Sequence, residues 1–397
     1  MTRVAITGIG IVGPGAIGID AFRALLAGGR TAIAEVDRFD TTGLTAHKAA
    51  LLRDFKVKDF ISPLKSRRMN NLSRYGVSAA KMAVMDSGAD FSSHDVGVAM
   101  GTSFGTVQTS VEYMQEYVER GAALAPPQLF AESVANAPGS HIAIENGFRG
   151  FNVTITQRES SALAAAMYAA SQLVKGTVPA AVVGGVEEIN EMIYSILDRV
   201  GALAHTNGAV DEVARPFDRR RNGLVIGEGG AVLVIERAPS KRPYGYFSGF
   251  GIARDTSATI SDWGSDASRV VAAMRAAIDD AEIAVADIDA IYASANSTRR
   301  ADDLEARAIS ELFGDRVPVV ATKGYFGEYA AAGALQLASA LVAMSDQQLH
   351  ASVGFEEGDT SFEVTREGRP AQLRHILLNS ISAGGGIVSA VISREGA

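Results

Sequence analysis

The chain has 397 residues, of which 47% are hydrophobic and 21% charged, with a formal net charge of −8 and no cysteine. That acidic balance argues against a nucleic-acid binder, which needs a basic face to neutralise phosphates. The missing thiols exclude disulfides, thiolate metal sites and thiol chemistry.

Short β-branched runs alternate with alanine-rich helical runs from end to end, the pattern of an α/β protein. The first apolar run, residues 4–12, carries glycines that interrupt any leader-like helix and ends at Gly13-Pro14 as a buried strand and turn would. No run offers eighteen uninterrupted apolar residues, so no membrane span is expected, and the cytoplasm is the expected compartment. Helices are expected over 20–27 and 71–87, then strands at 95–101 and 151–155 on either side of a helix over 106–119. A helix over 161–175 is apolar on nearly all sides and is therefore expected to be buried. Strands follow at 180–184, 230–236 and 244–252, then a helix over 267–281, a strand at 290–294 and a helix over 302–312. The remaining expected elements are a strand at 317–321, a helix over 331–344, and strands at 375–380 and 387–392.

The two halves echo one another. An Asp-led apolar strand precedes a helix at 95–103 and again at 287–295, and each half later carries an alanine-rich apolar helix. The Pro- and charge-rich stretch 236–243 reads as the connector, giving an N-terminal half of 1–238 and a C-terminal half of 239–397 that pack as one body.

Several blocks carry a family resemblance in order along residues 1 to about 393. The most specific are Arg215-Pro216-Phe217-Asp218 followed by Gly227-Glu228-Gly229, then Ser297-Thr298 with Asp302, Ala321-Thr322-Lys323 with Gly327, and the turn 379–386. Together with the strand, elbow and helix around Glu159, they resemble the β-ketoacyl-ACP synthases of the thiolase-like group. The resemblance implies a duplicated fold with a five-layered α-β-α-β-α core.

It also implies a Cys, His, Lys, His quartet for decarboxylating condensation, with a thiolate holding the acyl chain and imidazoles stabilising the enolate. The positions equivalent to that quartet are Glu159, Ser294, Lys323 and Glu328, so only the lysine is kept. None of the histidines, at 47, 94, 141, 205, 350 and 375, lies in a matching loop. No catalytic residue, metal or cofactor is therefore expected. Two readings of the carboxylates are open. One is a buried ion network neutralised by Lys323 or Arg158; the other is a carboxylate pair acting as an independent acyl-thioester decarboxylase or hydrolase.

Losing sulfur and both imidazoles while keeping the fold resembles the chain-length factors of type II polyketide synthases. These pair with an active ketosynthase and shape the tunnel for chains carried on an acyl carrier protein. Aromatic chain-length factors usually carry glutamine at this position, a pattern from which Glu159 departs; an aryl polyene or other highly reduced chain is the product expected in its place. The family's interface helix and following loop match 105–120 and 126–136. There Tyr113, Met114, Tyr117, Leu129 and Phe130 are candidate tunnel or interface residues, with plain packing as the alternative. Lys65, Arg67, Arg68 and Arg74 are the candidate carrier-protein contacts, a solvated helix face being the alternative. The run Arg219-Arg220-Arg221 is expected to pair with local carboxylates, and Ala383 stands where the family often has a phenylalanine gate.

Overall fold

The computed structural model describes residues 3–91, 94–239, 241–329 and 332–396. Ten strands form the main sheet: β1 (Val4–Gly13), β2 (Val96–Gly101), β3 (Asn152–Ile155), β4 (Ala180–Glu187), β5 (Gly229–Glu236), β6 (Gly245–Arg254), β7 (Ala290–Tyr292), β8 (Val319–Val320), β9 (His375–Ile381) and β10 (Gly386–Ser393). The spatial order is β8-β7-β9-β10-β6-β1-β5-β4-β2-β3, with the two-residue strand Ala16–Ile17 pairing onto β1. Outward from the centre, β1-β5-β4-β2-β3 and β6-β10-β9-β7-β8 have the same connectivity. In each set the outer three strands are parallel and the inner pairs are antiparallel. The β1–β6 pairing joins the two sets.

Ten helices matter here: α1 (Ile19–Ala27), α2 (Asn71–Ser87), α3 (Val107–Arg120), α4 (Pro127–Glu132), α5 (Ala137–Asn146), α6 (Ser161–Val174), α7 (Glu191–Arg199), α8 (Ala267–Asp280), α9 (Arg299–Phe313) and α10 (Ala332–Asp346). Helices α2 and α5 cover one outer face, and α8 and α9 cover the other. Helices α6 and α10 pack together between the two strand sets, giving five layers. Alanines along both helices keep them thin enough for this middle layer, and every described residue of α10 through Met344 is buried.

The same steric device fastens the outer helices in both halves. Gly8 and Gly10 of β1 lie so close to α2 that an added Cβ would sit 2.1 and 1.9 Å from the carbonyl oxygens of Ala83 and Ala79. Gly249 and Gly251 of β6 repeat this against Ala277 and Ala273 of α8, at 2.2 and 2.0 Å. Only a strand without side chains at those points lets the helix backbone descend onto the sheet.

The expected strands and helices are present, with informative differences at their ends; the first residue of the expected helix 331–344 lies outside the described residues. Strand β7 stops at Tyr292 because the Ser294 N–H donates to Glu305 Oε1 (2.9 Å) rather than to a neighbouring strand. Strand β8 is short because Pro318 has no N–H, and Ala321 N–H donates to Ser352 Oγ (3.0 Å). Helix α7 was absent from the sequence reading, although Asn190 caps it by accepting from Ile193 N–H at 2.9 Å. Helices α4 and α5 were also unread, since both start on proline-containing turns.

Gly10→Ala is expected to lower stability by about 3 kcal/mol, since relief needs backbone movement of α2 against β1. Urea unfolding checks this, and a midpoint unchanged from wild type contradicts the steric account.

Candidate functional site

Four loops from both halves meet at the C-terminal ends of β3, β7, β8 and β9, where open α/β sheets usually bind ligands. The elbow between β3 and α6 carries Glu159. Gln157 and Ser160 close it through a Ser160 N–H to Gln157 carbonyl bond of 3.2 Å, and Arg158 takes a positive φ of 49°. Ser161 Oγ ties the elbow down, accepting from Gln157 N–H (2.8 Å) and donating towards the carbonyls of Arg158 (2.6 Å) and Thr102 (3.1 Å). Gly101 lets α6 begin against β2, since a Cβ there would meet Ala162 N at 2.5 Å.

The Glu159 side chain turns towards the glycine-rich turn between β9 and β10. Its Oε2 accepts the Ala383 N–H at 3.0 Å, and its backbone carbonyl accepts from Ser380 Oγ at 3.0 Å. Its own backbone N–H also favours the ionised form, as do Ala383 N–H and Lys323, but burial and the charge of Glu328 outweigh them. The carboxyl is pushed up to about 7.

Lys323 and Glu328 lie on the loop after β8. They form a buried ion pair, with Lys323 Nζ also donating to the Ser294 carbonyl at 2.6 Å. Asn296 Nδ2 donates to Glu328 Oε2 at 3.3 Å, while Glu328 Oε1 has no partner among the described residues. Burial raises the Glu328 carboxyl and Lys323 opposes the rise. The loop is clamped to the Arg215–Gly230 block, for Glu328 N–H donates to the Val225 carbonyl (2.7 Å) and Gly227 N–H to the Glu328 carbonyl (2.8 Å).

Ser294 is buried and internally used: its Oγ accepts from Ile381 N–H at 2.9 Å. Below it, Glu305 Oε1 takes both Ser294 N–H and Asn379 Nδ2 (3.0 Å), and burial pushes Glu305 up to about 7. Asp302, pushed up by burial to about 6, accepts N–H bonds from Phe217 (2.7 Å) and Asn296 (2.8 Å). The field of Lys323 reaches Glu159, Glu328, Asp302 and Glu305 alike. Asp302 also faces the Arg221 guanidinium at 3.7 Å, yet two cations against four buried carboxyls keep part of the set protonated at neutral pH.

The structure therefore brings Glu159, Ser294, Lys323 and Glu328 into one buried polar cluster, and the neutralising cation is Lys323. Arg158 makes no ion pair with them among the described residues. No imidazole enters the site. His350 pairs with Tyr292 (2.9 Å), His375 with Ser393 (2.8 Å) and His141 with Glu132 (2.8 Å). Sequence reading missed Glu305 and Asn296, which hold the Ser294 and Glu328 loops. The signal was faint: Glu305 follows Asp302 by three residues, on the same face of α9.

The other candidates lie apart from this cluster. Tyr113 stacks near Tyr117 and Phe130, with ring centroids 6.3 and 5.6 Å away. Met114 lines an apolar groove of about 560 Å3 with Val107, Val111, Val118 and Met192. Leu129 lines a separate cleft with Arg67, Arg68, Arg74 and Glu188. Lys65 is held by Glu145 (3.0 Å), and Arg74 donates to the Ser66 carbonyl (3.1 Å) and Asn71 Oδ1 (2.8 Å). Arg67 and Arg68 form no ion pair among the described residues and face solvent. The Arg219–Arg221 run pairs with carboxylates, Arg219 with Asp359 (2.8 Å) and Arg220 with Asp218 (3.0 Å).

The β-ketoacyl synthase N-terminal domain matches residues 1–240 and its C-terminal domain matches residues 244–356. The chain belongs to the β-ketoacyl synthase family. It is 31% identical over 361 residues to the tetracenomycin polyketide synthase ketoacyl synthase beta subunit of Streptomyces glaucescens, covering 88% of each chain. It is 26% identical over 400 residues to the 3-oxoacyl-[acyl-carrier-protein] synthase 2 of Vibrio harveyi, covering 96% of each. Among solved structures, the ishigamide ketosynthase/chain length factor superposes with a TM-score of 0.90 at 25% identity, covering 100% of both chains. The fold is thus the thiolase-like ketosynthase fold, and no helix among the described residues is long and apolar enough to cross a membrane.

Other buried acids in this ketosynthase fold give a pH signature. Glu188 is pushed up to about 8 by burial and by Glu228, and its Oε1 lacks a partner among the described residues. Above about pH 6.5 the unfolded chain has released this proton while the folded chain still holds it, so stability falls as pH rises through about 8. Glu188→Gln is expected to flatten the loss between about pH 6.5 and about pH 8.5. Urea midpoints measured at both ends check the sign, and a wild-type midpoint that climbs across this window contradicts it.

Proposed function

We propose that this chain is a non-catalytic chain-length factor that pairs with an active ketosynthase in type II polyketide synthesis. Its two halves, 1–238 and 239–397, keep the fold of the active partner while its own pocket holds no nucleophile. The carrying observation is Glu159: a buried carboxylate, bonded to the Ala383 N–H, stands at the elbow where condensation needs a thiolate. Ser294 and Glu328 stand where the two imidazoles would, and both are committed to internal bonds.

A second feature supports a partner. Helices α3 and α7 present a continuous apolar face, with Val118 76%, Met114 53% and Ile196 49% exposed. Strand β3 lies at the outer edge of the sheet and leaves that edge open. An amphipathic face with an open sheet edge fits an obligate subunit interface. A solved structure similar to this chain is titled the ishigamide ketosynthase/chain length factor. Under this reading Tyr113, Met114, Tyr117, Leu129 and Phe130 set the depth of a tunnel for a highly reduced, aryl polyene-like chain. Arg67 and Arg68, with Lys65 and Arg74 behind them, meet the acidic acyl carrier protein.

One observation favours a second reading. A glutamate held near 7 beside Lys323 is poised for proton transfer, as an independent acyl-thioester decarboxylase or hydrolase would need.

Co-expression with a ketosynthase separates the two. The proposal expects a heterodimer whose elongation activity survives Glu159→Gln, whereas the second reading expects that substitution to abolish turnover of malonyl or acyl thioesters by this chain alone. Val118→Asp should leave the isolated fold within about 0.5 kcal/mol, as for an exposed site, yet prevent co-purification of the ketosynthase. Met114→Trp should shorten the products and Met114→Ala lengthen them, read by mass spectrometry; product lengths indifferent to both would refute the tunnel role.

A further inference from the structure

A hollow of about 580 Å3 beside the elbow between β3 and α6 stands apart from the chain's other hollows in its charge. Arg158, Arg254, Gln157, Thr156 and Ser382 supply its polar wall, and no carboxylate lines it among the described residues. Four other hollows each carry at least one acid, namely Asp262, Glu395, Glu112 and Glu119. Two guanidiniums thus share one cavity in a chain whose formal net charge is −8. Neither makes an ion pair or a side-chain hydrogen bond among the described residues.

The acids next to them in the chain are engaged elsewhere. Asp255, which follows Arg254, accepts N–H bonds from Ser257 (2.8 Å), Ser265 (2.9 Å) and Asp266 (2.8 Å). Glu159, which follows Arg158, accepts the Ala383 N–H (3.0 Å) and lies in the field of Lys323. The backbone holds both arginines at the cavity wall. Arg254 ends β6 and pairs with Gly386 of β10. Gly386 also makes room for the neighbour of Arg158, since a Cβ there would sit 2.6 Å from Gln157 Nε2. Arg158 takes a φ of 49°, a left-handed conformation costly for any residue but glycine, and its carbonyl accepts from Ser161 Oγ at 2.6 Å. Such strain persists only where the surrounding structure imposes it, and it gathers at ligand sites. The approach over Gly384 is open, for a Cβ added there would meet nothing within 4 Å.

We infer that this hollow binds a phosphate group between the Arg158 and Arg254 guanidiniums, with the Gln157 amide and the Thr156 hydroxyl as further donors. A guanidinium fork matches phosphate oxygens in pairs, and a dianion answers two cations at once, which a carboxylate does not. Arg254 is exposed and Arg158 half-buried, so the group enters from solvent, as inorganic phosphate or at the end of a phosphomonoester.

The inference does not rest on the chain-length-factor reading, so the two fail separately. Thermal unfolding of the full-length chain is followed in sodium phosphate, sodium methyl phosphate and sodium chloride, matched in ionic strength at about pH 8, where a phosphomonoester is a dianion. Wild type is expected to gain about 2 °C in phosphate over chloride. The gain should saturate, which separates binding from the general stabilisation by excluded salts. Arg254→Gln and Arg158→Asn should each lose most of it; asparagine is chosen because it tolerates the left-handed backbone. Arg242→Gln, which alters another hollow near the start of β6, should keep the full gain. An equal gain in methyl phosphate supports a site for an esterified group, and a gain in phosphate alone supports one for the free ion. Should Arg158→Asn not fold, Arg254→Gln alone decides. A wild-type chain with no saturable phosphate gain overturns the inference, as does a gain undiminished in either folded arginine variant.

Discussion

A single buried ammonium, Lys323, acts on four carboxyls drawn from three segments, with the Arg221 guanidinium assisting at Asp302 alone. In a low-dielectric interior that imbalance is tolerable only if each acid also receives fixed donors or keeps its proton. The loops are arranged accordingly: Glu159 receives an N–H from the glycine turn, Asp302 two from separate loops, Glu305 the Ser294 N–H and the Asn379 amide, and Glu328 the Asn296 amide. The bonds to Glu159, from Phe217 to Asp302, from Asn379 to Glu305 and from Asn296 to Glu328 join segments far apart in the chain. The electrostatic problem and the closure of the two halves around it are therefore the same structural fact. Breaking the ion pair would strand charge where water does not reach.

Much of this architecture was legible from the residues. Ten strands and seven helices announce themselves through β-branched runs and alanine-rich periodicity, and the all-apolar 161–175 segment reads as buried because no face of it is polar. The duplicated connectivity was visible only as an echo of composition. Its physical basis, paired glycines on β1 and β6 receiving alanine helices, needs three dimensions to see, since Gly8, Gly10, Gly249 and Gly251 are ordinary strand glycines in a sequence.

The site was half legible. Its four positions follow from aligned blocks, and Glu159 stands out as a carboxylate at the elbow before a buried helix. What does not show in a sequence is a backbone donor. Ala383 reads as a missing side chain at a gate, whereas its contribution is an N–H that any residue except proline would supply. Glu305 is similarly silent, since its role is to satisfy the end of a strand that stops early. Tertiary hydrogen bonding of this type leaves no compositional trace.

The uncovered stripe on α3 and α7 has a consequence for the chain on its own. A chain that leaves Val118, Ile196 and an open sheet margin in water carries a built-in tendency towards promiscuous self-association. Isolated copies are therefore expected to associate more readily as their concentration rises, the drive scaling with the apolar area that stays in water.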